Sequence, residues 1–444
     1  MPDLHSARRE ELLEIIAGLL QRVEALEARV VGLEEENARL RKGGGGKAVA
    51  PWVKPNRPKG EKQERQRRGR AFVRRREQPE EVREHAVAQC PDCGHRLTGG
   101  WVHRRRQVIE VVLAHRVIEH VVLARRCGVC GKRHLPRLGP EVLGVQGKRR
   151  FGVSVQALVA ALHGRYRMPM KEIGRFLQEG WGLHVSDGEV VALLDGVVAA
   201  GEAALTDLLE QVQRASVVCS DETGWREEGQ NGWLWTFTTP TLRYFQYRDT
   251  RSGTVPEEVL GKDFGGIVSC DCYVGYNRLL AQKQRCWAHL LRDLHELKEQ
   301  HAERPEVLAW VEAIQGLYAE AKAAPLGTPP QRRRQRRQCE RRLDRLVRAW
   351  VRQQEVPQRV LAERIRRHLL EWFPFVEYPE VPSTNNLAER SLRPAVIARK
   401  ISGGTRSEKG SQTQMGLMSL LGTWAARGQA LLPACQRLLL TDSP

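Results

Sequence analysis

The sequence predicts a multidomain α+β protein, and three observations carry that expectation. A leucine heptad opens the chain, two widely separated C-x-x-C pairs follow, and from residue 215 short apolar strands give way to long helical stretches. With 444 residues the chain has room for about three folded units. Its 72 Lys and Arg against 53 Asp and Glu leave a net charge of +19, the signature of a protein that works on a polyanion. Arginine outnumbers lysine 58 to 14, so arginine-rich coding competes with a nucleic-acid partner, and the placement of the charge has to decide. No apolar run approaches the ~18 residues of a membrane span, and the start MPDLHSARREELLEI lacks the basic-then-apolar order of a signal peptide. A soluble cytoplasmic protein without a membrane partner is expected. Ten cysteines are too few for a secreted disulfide scaffold, which leaves the two C-x-x-C pairs as metal ligands in a reducing compartment.

Residues 1–42 read as a leucine-zipper coiled coil. Leu12, Leu19, Leu26, Leu33 and Leu40 occupy d positions, and Ile16, Val23, Val30 and Asn37 occupy a. β-Branched residues at a with Leu at d favour two parallel strands, and a single Asn at a fixes register. Arg22 opposite Glu27, Arg29 opposite Glu34 and Glu36 opposite Arg41 complete a homodimer or higher oligomer; one amphipathic helix packed on its own chain is the competing reading. Residues 43–80 form a basic linker. Twelve Lys or Arg against three Glu between Lys47 and Gln78 supply about half of the net charge, and so polar a stretch buries too little to fold.

Residues 81–149 read as a zinc ribbon. Cys90, Cys93, Cys127 and Cys130 suit a tetrahedral Zn²⁺, one per chain, with two thiolates from each knuckle. The segments Gln107–Leu113 and Val117–Leu123 alternate like strands and would form an inserted β-ribbon; His95 and His134 are rival ligands. Residues 150–214 form a helical, helix-turn-helix-like DNA-binding region. There a helix from Pro169 meets a Gly-Trp-Gly turn at 180–182, and Ser186 with Glu189 has capping-box spacing at the start of the next helix.

From 215 the chemistry gathers. Ser216-Val-Val-Cys-Ser runs into Asp221, strands follow at 232–238 and 242–248, a helical segment lies near 254–262, and Gly266-Ile-Val-Ser-Cys runs into Asp271. Two neighbouring strands that each end in an Asp bring two carboxylates together, and crowded carboxylates call for a hard cation such as Mg²⁺. Glu222 would point to the opposite face of its strand. Glu389 begins another helix, where capping-box spacing from Asn386 and a pairing with Arg393 offer a structural explanation instead. Cys286 and His289 have C-x-x-H spacing on a helix, and packing is the favoured role for them. Trp225 and Trp233 are available to stack on a base, although core packing is the simpler use of most tryptophans.

Asp-Glu-Thr-Gly-Trp at 221–225, Asn-Gly-Trp-Leu-Trp at 231–235, the stretch from Asp271 to Asn277, Cys-Trp-Ala-His at 286–289 and Asn-Asn-Leu-Ala-Glu-Arg-Ser-Leu-Arg-Pro at 385–394 together resemble the transposases of the insertion-sequence-66 family. The resemblance extends over the leader, the cysteine pairs and the helices after 150. It implies an RNase-H-like α/β catalytic domain. The 118 residues from Asp271 to Glu389 exceed one crossover, and 301–375 are helical in pattern and very basic, so that stretch reads as a helical insertion that grips DNA and divides the domain into 215–300 and 376–444; a solvated charged helix pair is the competing reading. Asp221, Asp271 and Glu389 would be the catalytic residues and hold two Mg²⁺ (or Mn²⁺) per active site.

The activity so implied is cleavage at transposon ends and transfer of the 3′-hydroxyls into target DNA. Its partners would be double-stranded DNA at the terminal inverted repeats and at the target, together with accessory proteins of the same element, in a bacterial, nucleoid-associated setting. Two alternatives remain: a dimeric zinc-dependent DNA-binding regulator derived from a transposase, and an RNase-H-like nuclease without joining activity. The cysteine spacing generates its own expectation. Elemental analysis of the purified protein should find about one Zn per chain, lost when Cys90 and Cys127 are changed to Ser.

Overall fold

A computed structural model of the chain describes residues 149–441 continuously and, ahead of them, short stretches that include 91–96, 114–126 and 139–145. All of the heptad leader but Arg29, all of the basic linker but Gln78, the segment 107–113, Cys90 and Cys127 lie outside the described residues. The described residues fall into two units, divided after residue 110.

In the first unit an antiparallel bridge between Gln89 and Arg96 closes a turn over Pro91–Cys93, with Gly94 at φ 71°. In the second, a two-residue antiparallel ladder pairs Arg125 with His134 and Arg126 with Arg133 on either side of the second cysteine pair. Cys93 and Cys130, the described member of each pair, are both exposed. The strand expected at Val117–Leu123 is not formed. Residues 114–124 take no regular structure, and Val117, Ile118, Val121, Val122 and Leu123 are exposed, so these apolar side chains meet no ladder that would make alternation useful.

Helix α1 (Val153–Ala160) runs into a π-helical turn, Ala161–Arg165, and is followed by α2 (Met170–Trp181), α3 (Asp187–Ala200) and α4 (Glu202–Gln213). The sequence placed a turn at 180–182, but α2 continues through Gly180 and Trp181 and stops only at Gly182, which caps it at φ 67°. The capping box at the start of α3 is present: Glu189 N–H donates to Ser186 Oγ at 3.3 Å, and the Ser186 N–H donates to Glu189 Oε2 at 2.9 Å. Ile173, Leu177, Val190, Leu194 and Val197 close a helical core together with Leu417 and Leu439 from the far end of the chain.

The centre is a five-stranded mixed sheet: β1 (Val217–Glu227), β2 (Gln230–Thr238), β3 (Arg243–Arg248), β4 (Ile267–Cys270) and β5 (Gln282–Arg285). Its order is β3-β2-β1-β4-β5, with β1, β2 and β3 antiparallel neighbours and β4 and β5 parallel to β1. The hairpin from β1 to β2 turns through Glu228 and Gly229, both at positive φ, the conformation that suits a two-residue turn between twisted strands. Between β3 and β4 lies α5 (Thr254–Leu260). Val218, Trp235, Phe237 and Val268 pack one face of the sheet against α4 and α5.

After β5 come α6 (Trp287–Gln300), α7 (Pro305–Ala323), α8 (Pro329–Val351) and α9 (Arg359–Arg367), then α10 (Asn386–Ser402), α11 (Glu408–Ala426) and α12 (Leu431–Leu440). Trp225, Leu234 and Phe245, on the second face of the sheet, meet Leu392 and Ala395 of α10 and Met415 and Met418 of α11. Trp225 is thus core, and its Nε1 donates to Thr405 Oγ1 at 3.1 Å. Helices α6–α9 enclose a core of their own around Trp287, Trp310, Leu343, Val347, Ile365 and Trp372. Among the described residues no helix is long and apolar enough to cross a membrane.

Leu343 is fully buried at the centre of that helical core. Leu343→Ala should cost roughly 2–5 kcal/mol in a urea melt followed by tryptophan fluorescence, whereas the same change at exposed Leu326 should stay within about 0.5 kcal/mol.

Candidate active site

Register brings the two aspartates together. The parallel ladder pairs Val217 with Ile267, Val218 with Val268 and Cys219 with Ser269, so Asp221 and Asp271 occupy corresponding places two residues beyond its last pair. Asp271 follows the end of β4, as the sequence suggested. Asp221 does not end its strand: β1 runs on to Glu227, because past the ladder with β4 it still pairs with β2. Side chains alternate along a strand, so Asp221 lies on the same face as Cys219 and Trp225, the face that α10 covers. Glu222 lies on the other face. Its carboxylate is buried and accepts from Arg251 Nε at 2.9 Å and from the Tyr276 hydroxyl at 2.8 Å.

Glu389 enters from α10. The helix starts one residue earlier than the capping-box spacing implied: Asn385 is the N-cap, and Asn386 is already helical. Asn385 does not cap with its side chain. Instead its Nδ2 donates to Ser220 O at 2.8 Å, which fixes the start of α10 beside Asp221, while its backbone N–H donates to Cys286 Sγ at 3.1 Å. Glu389 is therefore released from a capping duty, and its Oε1 is closed off from solvent without a hydrogen-bond partner among the described residues.

The electrostatics report the crowding. Burial pushes the Asp221 carboxyl up to about 7, and the carboxylates of Glu222, Asp271 and Glu389 push the same way against one hydrogen bond from the Glu222 N–H. Burial also raises Glu222, with Asp271 adding to it and Arg251 and Tyr276 opposing. His289 goes up to about 9, chiefly through its hydrogen bond with Cys286 and then, against burial, through the charges of Cys286, Glu389 and Asp271. Its Nε2 lies 3.6 Å from Glu389 Oε1. Cys286, His289 and Glu389 each offer a ligand atom, all within 4.8 Å of one another. The C-x-x-H pair thus does position a helix, through the Asn385 contact, and it also faces the acid cluster directly.

Asp271 and Glu389 lie close enough to Asp221 to raise it, and a buried oxygen of Glu389 has no hydrogen-bond partner among the described residues, so negative charge gathers where a divalent cation would relieve it. Among the described residues the three ligand atoms that come within 4.8 Å of one another are those of Cys286, His289 and Glu389, not the three carboxylates.

Asp271 is held from behind by a residue that sequence reasoning passed over. Arg285, fully buried at the end of β5, donates through Nη1 to Asp271 O at 2.6 Å, through Nη2 to Asn277 Oδ1 at 2.6 Å and through Nε to Glu371 Oε2 at 2.5 Å. Burial works to raise Glu371, but the His368 hydrogen bond and the Arg285 charge prevail and bring it down to about 2. The one available signal was a run of polar residues, Gln282–Arg285, wedged between two strongly structured segments.

Residues 148–413, more than half of the chain, match the family model described as Transposase IS66 family. The chain belongs to the IS66 transposase family. The match begins just ahead of α1 and ends inside α11, so it takes in Asp221, Asp271, Glu389 and the C-x-x-H pair and leaves the cysteine knuckles outside. No curated protein matches the chain.

The position of Asp221 generates a pH dependence in metal-free protein. An Asp raised from its usual value near 3.8 to about 7 binds its proton more tightly folded than unfolded. Its contribution to stability is full below the unfolded value and is lost as pH rises through 7. Asp221→Asn should therefore raise the melting temperature by several degrees at pH 8 in chelator and change it little at pH 4, as read by calorimetry.

Proposed function

We propose that this transposase cuts DNA at the ends of its element and joins the resulting 3′-hydroxyls to target DNA with a metal-dependent centre built from Asp221, Asp271 and Glu389. The observation that carries the reading is the shared register of the two aspartates on the sheet face that α10 covers, with Glu389 near enough to raise Asp221. The mixed sheet with two acids at its parallel seam supports the RNase-H-like reading of residues 215–300 and 376–444.

Asp221 and Asp271 would supply the central oxygens, and Glu389 would complete one of two Mg²⁺ or Mn²⁺ sites. Ions held by these carboxylates would supply a lowered pKa for an attacking water or 3′-hydroxyl and would stabilise the leaving oxygen of an in-line displacement. The protein's own part is placement. Arg285 fixes the backbone at Asp271, Asn385 fixes the start of α10 against Ser220, and His289 sets a positive charge against Glu389. No side-chain nucleophile is required.

The helices α2 and α3, with the zinc ribbon of Cys90, Cys93, Cys127 and Cys130, would recognise the terminal inverted repeats, and the heptad leader would pair two chains.

Purified protein with Mg²⁺ or Mn²⁺ should nick labelled element-end DNA, and Asp221→Asn should reduce nicking at least about a thousandfold while leaving DNA binding unchanged. Full cleavage by that variant sinks the assignment. Binding without any cleavage by the wild type favours the regulator, and cleavage without strand transfer favours the nuclease.

A further inference from the structure

Helix α8 carries arginines of two kinds. Arg333 and Arg336 pair with Glu377 at 3.0 Å, Arg336 also with Glu340 at 2.8 Å, and Arg342 pairs with Glu320 at 2.5 Å. Arg334, Arg337, Arg341, Arg345 and Arg348 are exposed, and none of them forms an ion pair among the described residues. The second set recurs at intervals of three, four, four and three residues. At 100° and 1.5 Å per residue these five side chains share an arc of about 80° and a length of about 21 Å.

The opposite side of the helix holds Cys339, Leu343 and Val347 in the core. Among the described residues, the two carboxylates beside the stripe are engaged from elsewhere: Glu340 by Arg336, and Asp344 by Arg366 at 3.8 Å. A solvated helix face ordinarily interleaves both signs; this helix keeps its paired arginines, Arg333 and Arg336 on one side and Arg342 on the other, to either flank of an unneutralised ridge.

We infer that the ridge Arg334–Arg337–Arg341–Arg345–Arg348 is a docking surface for the phosphate backbone of duplex DNA. Its length matches several successive phosphates, whose own spacing sets the reach needed. Guanidinium forks bind phosphate oxygens in pairs and carry no base preference from this position. The ridge is also fixed relative to the acid cluster. Arg336 and Glu377 tie α8 to the turn before α10, and the Glu371–Arg285–Asp271 chain ties the same helical unit to the second aspartate. DNA held on α8 is thus held at a constant distance from the carboxylates. The inference deepens the DNA-cleaving reading, and binding can be measured without cleavage, so the two can fail separately.

The test uses full-length protein in chelator, a labelled 30-base-pair duplex of about three helical turns and fluorescence anisotropy across a salt series. Each lost phosphate contact lowers the slope of log affinity against log salt by about 0.9. The triple variant Arg337→Gln, Arg341→Gln, Arg345→Gln should lose about 2–3 from that slope and bind at least about tenfold more weakly near physiological salt. The matching triple lysine variant should keep the slope. Arg214→Gln with Arg427→Gln, exposed just past the ends of α4 and α11, should change it by less than about 1.

An unchanged slope in the glutamine triple, an equal loss in the control, or wild-type preference for an RNA duplex that vanishes in the triple would each overturn the proposal. Should the glutamine triple misfold by circular dichroism, the single variant Arg341→Glu carries the same test, with a slope loss of about 1 expected and no loss refuting the ridge.

Discussion

A guanidinium cannot shed its charge inside a protein, and sealing one away from water costs several kcal/mol unless its donors are met. Arg285 has no exposed surface, and it spends its fork on three places that the fold must hold in common: the backbone of Asp271, the side chain of Asn277 in the turn after β4, and Glu371 of the helical unit. Cys270 Sγ, at 3.6 Å, lines the same pocket. Remove any one partner and a buried charge is left short. The end of β4, the turn that follows it and the helical insertion are therefore required to close together, and the loop that carries the second aspartate inherits its position from that closure. Helices α6–α9 and the segment of Glu371 are in this sense part of the foundation of the candidate site, not an appendage to the sheet.

β1, the strand that bears Asp221, is supported in a similar way from its other face. Arg251 lies between the rings of Trp233 and Tyr273, 4.6 and 3.9 Å from their centroids, and pairs with buried Glu222; the Tyr273 hydroxyl donates to Arg251 O at 2.6 Å. Trp233 thus has its face occupied by a cation of its own chain. Glu222, next in sequence to Asp221, belongs to this structural network and not to the open cluster. Adjacent acids are assigned opposite duties by the alternation of a single strand.

Much of this was legible in the sequence, and the exceptions share a cause. The strands at β1 to β4 announce themselves by β-branched and aromatic side chains, and both aspartates stand beside such runs. β5 does not, because Gln282, Lys283, Gln284 and Arg285 contribute no apolar alternation. Their polarity is satisfied internally: Lys283 Nζ donates to Leu279 O and Ala281 O, and Gln284 Nε2 to Arg285 O and Trp372 O. No local pattern encodes partners that lie nearly ninety residues away in the chain. The opposite error occurs at Val117–Leu123, where alternation is clear and no ladder forms. Near Glu389 the local signal pointed to a cap, and a long-range bond from Asn385 to Ser220 superseded it. Local periodicity found the elements; long-range polar satisfaction decided which side chains were left free.

The parallel seam between β1 and β4 has one further implication. Between Asp221 and Asp271 the chain makes a hairpin, a third strand and a helix, all of which can change length at their turns without disturbing the seam. Within 217–221 or 267–271 the tolerance vanishes: a single inserted or deleted residue there rotates the following aspartate to the opposite face of the sheet. The chain's tolerance of a change in length is thus a matter of parity, with loops counted in any number and the two seam segments locked to odd or even.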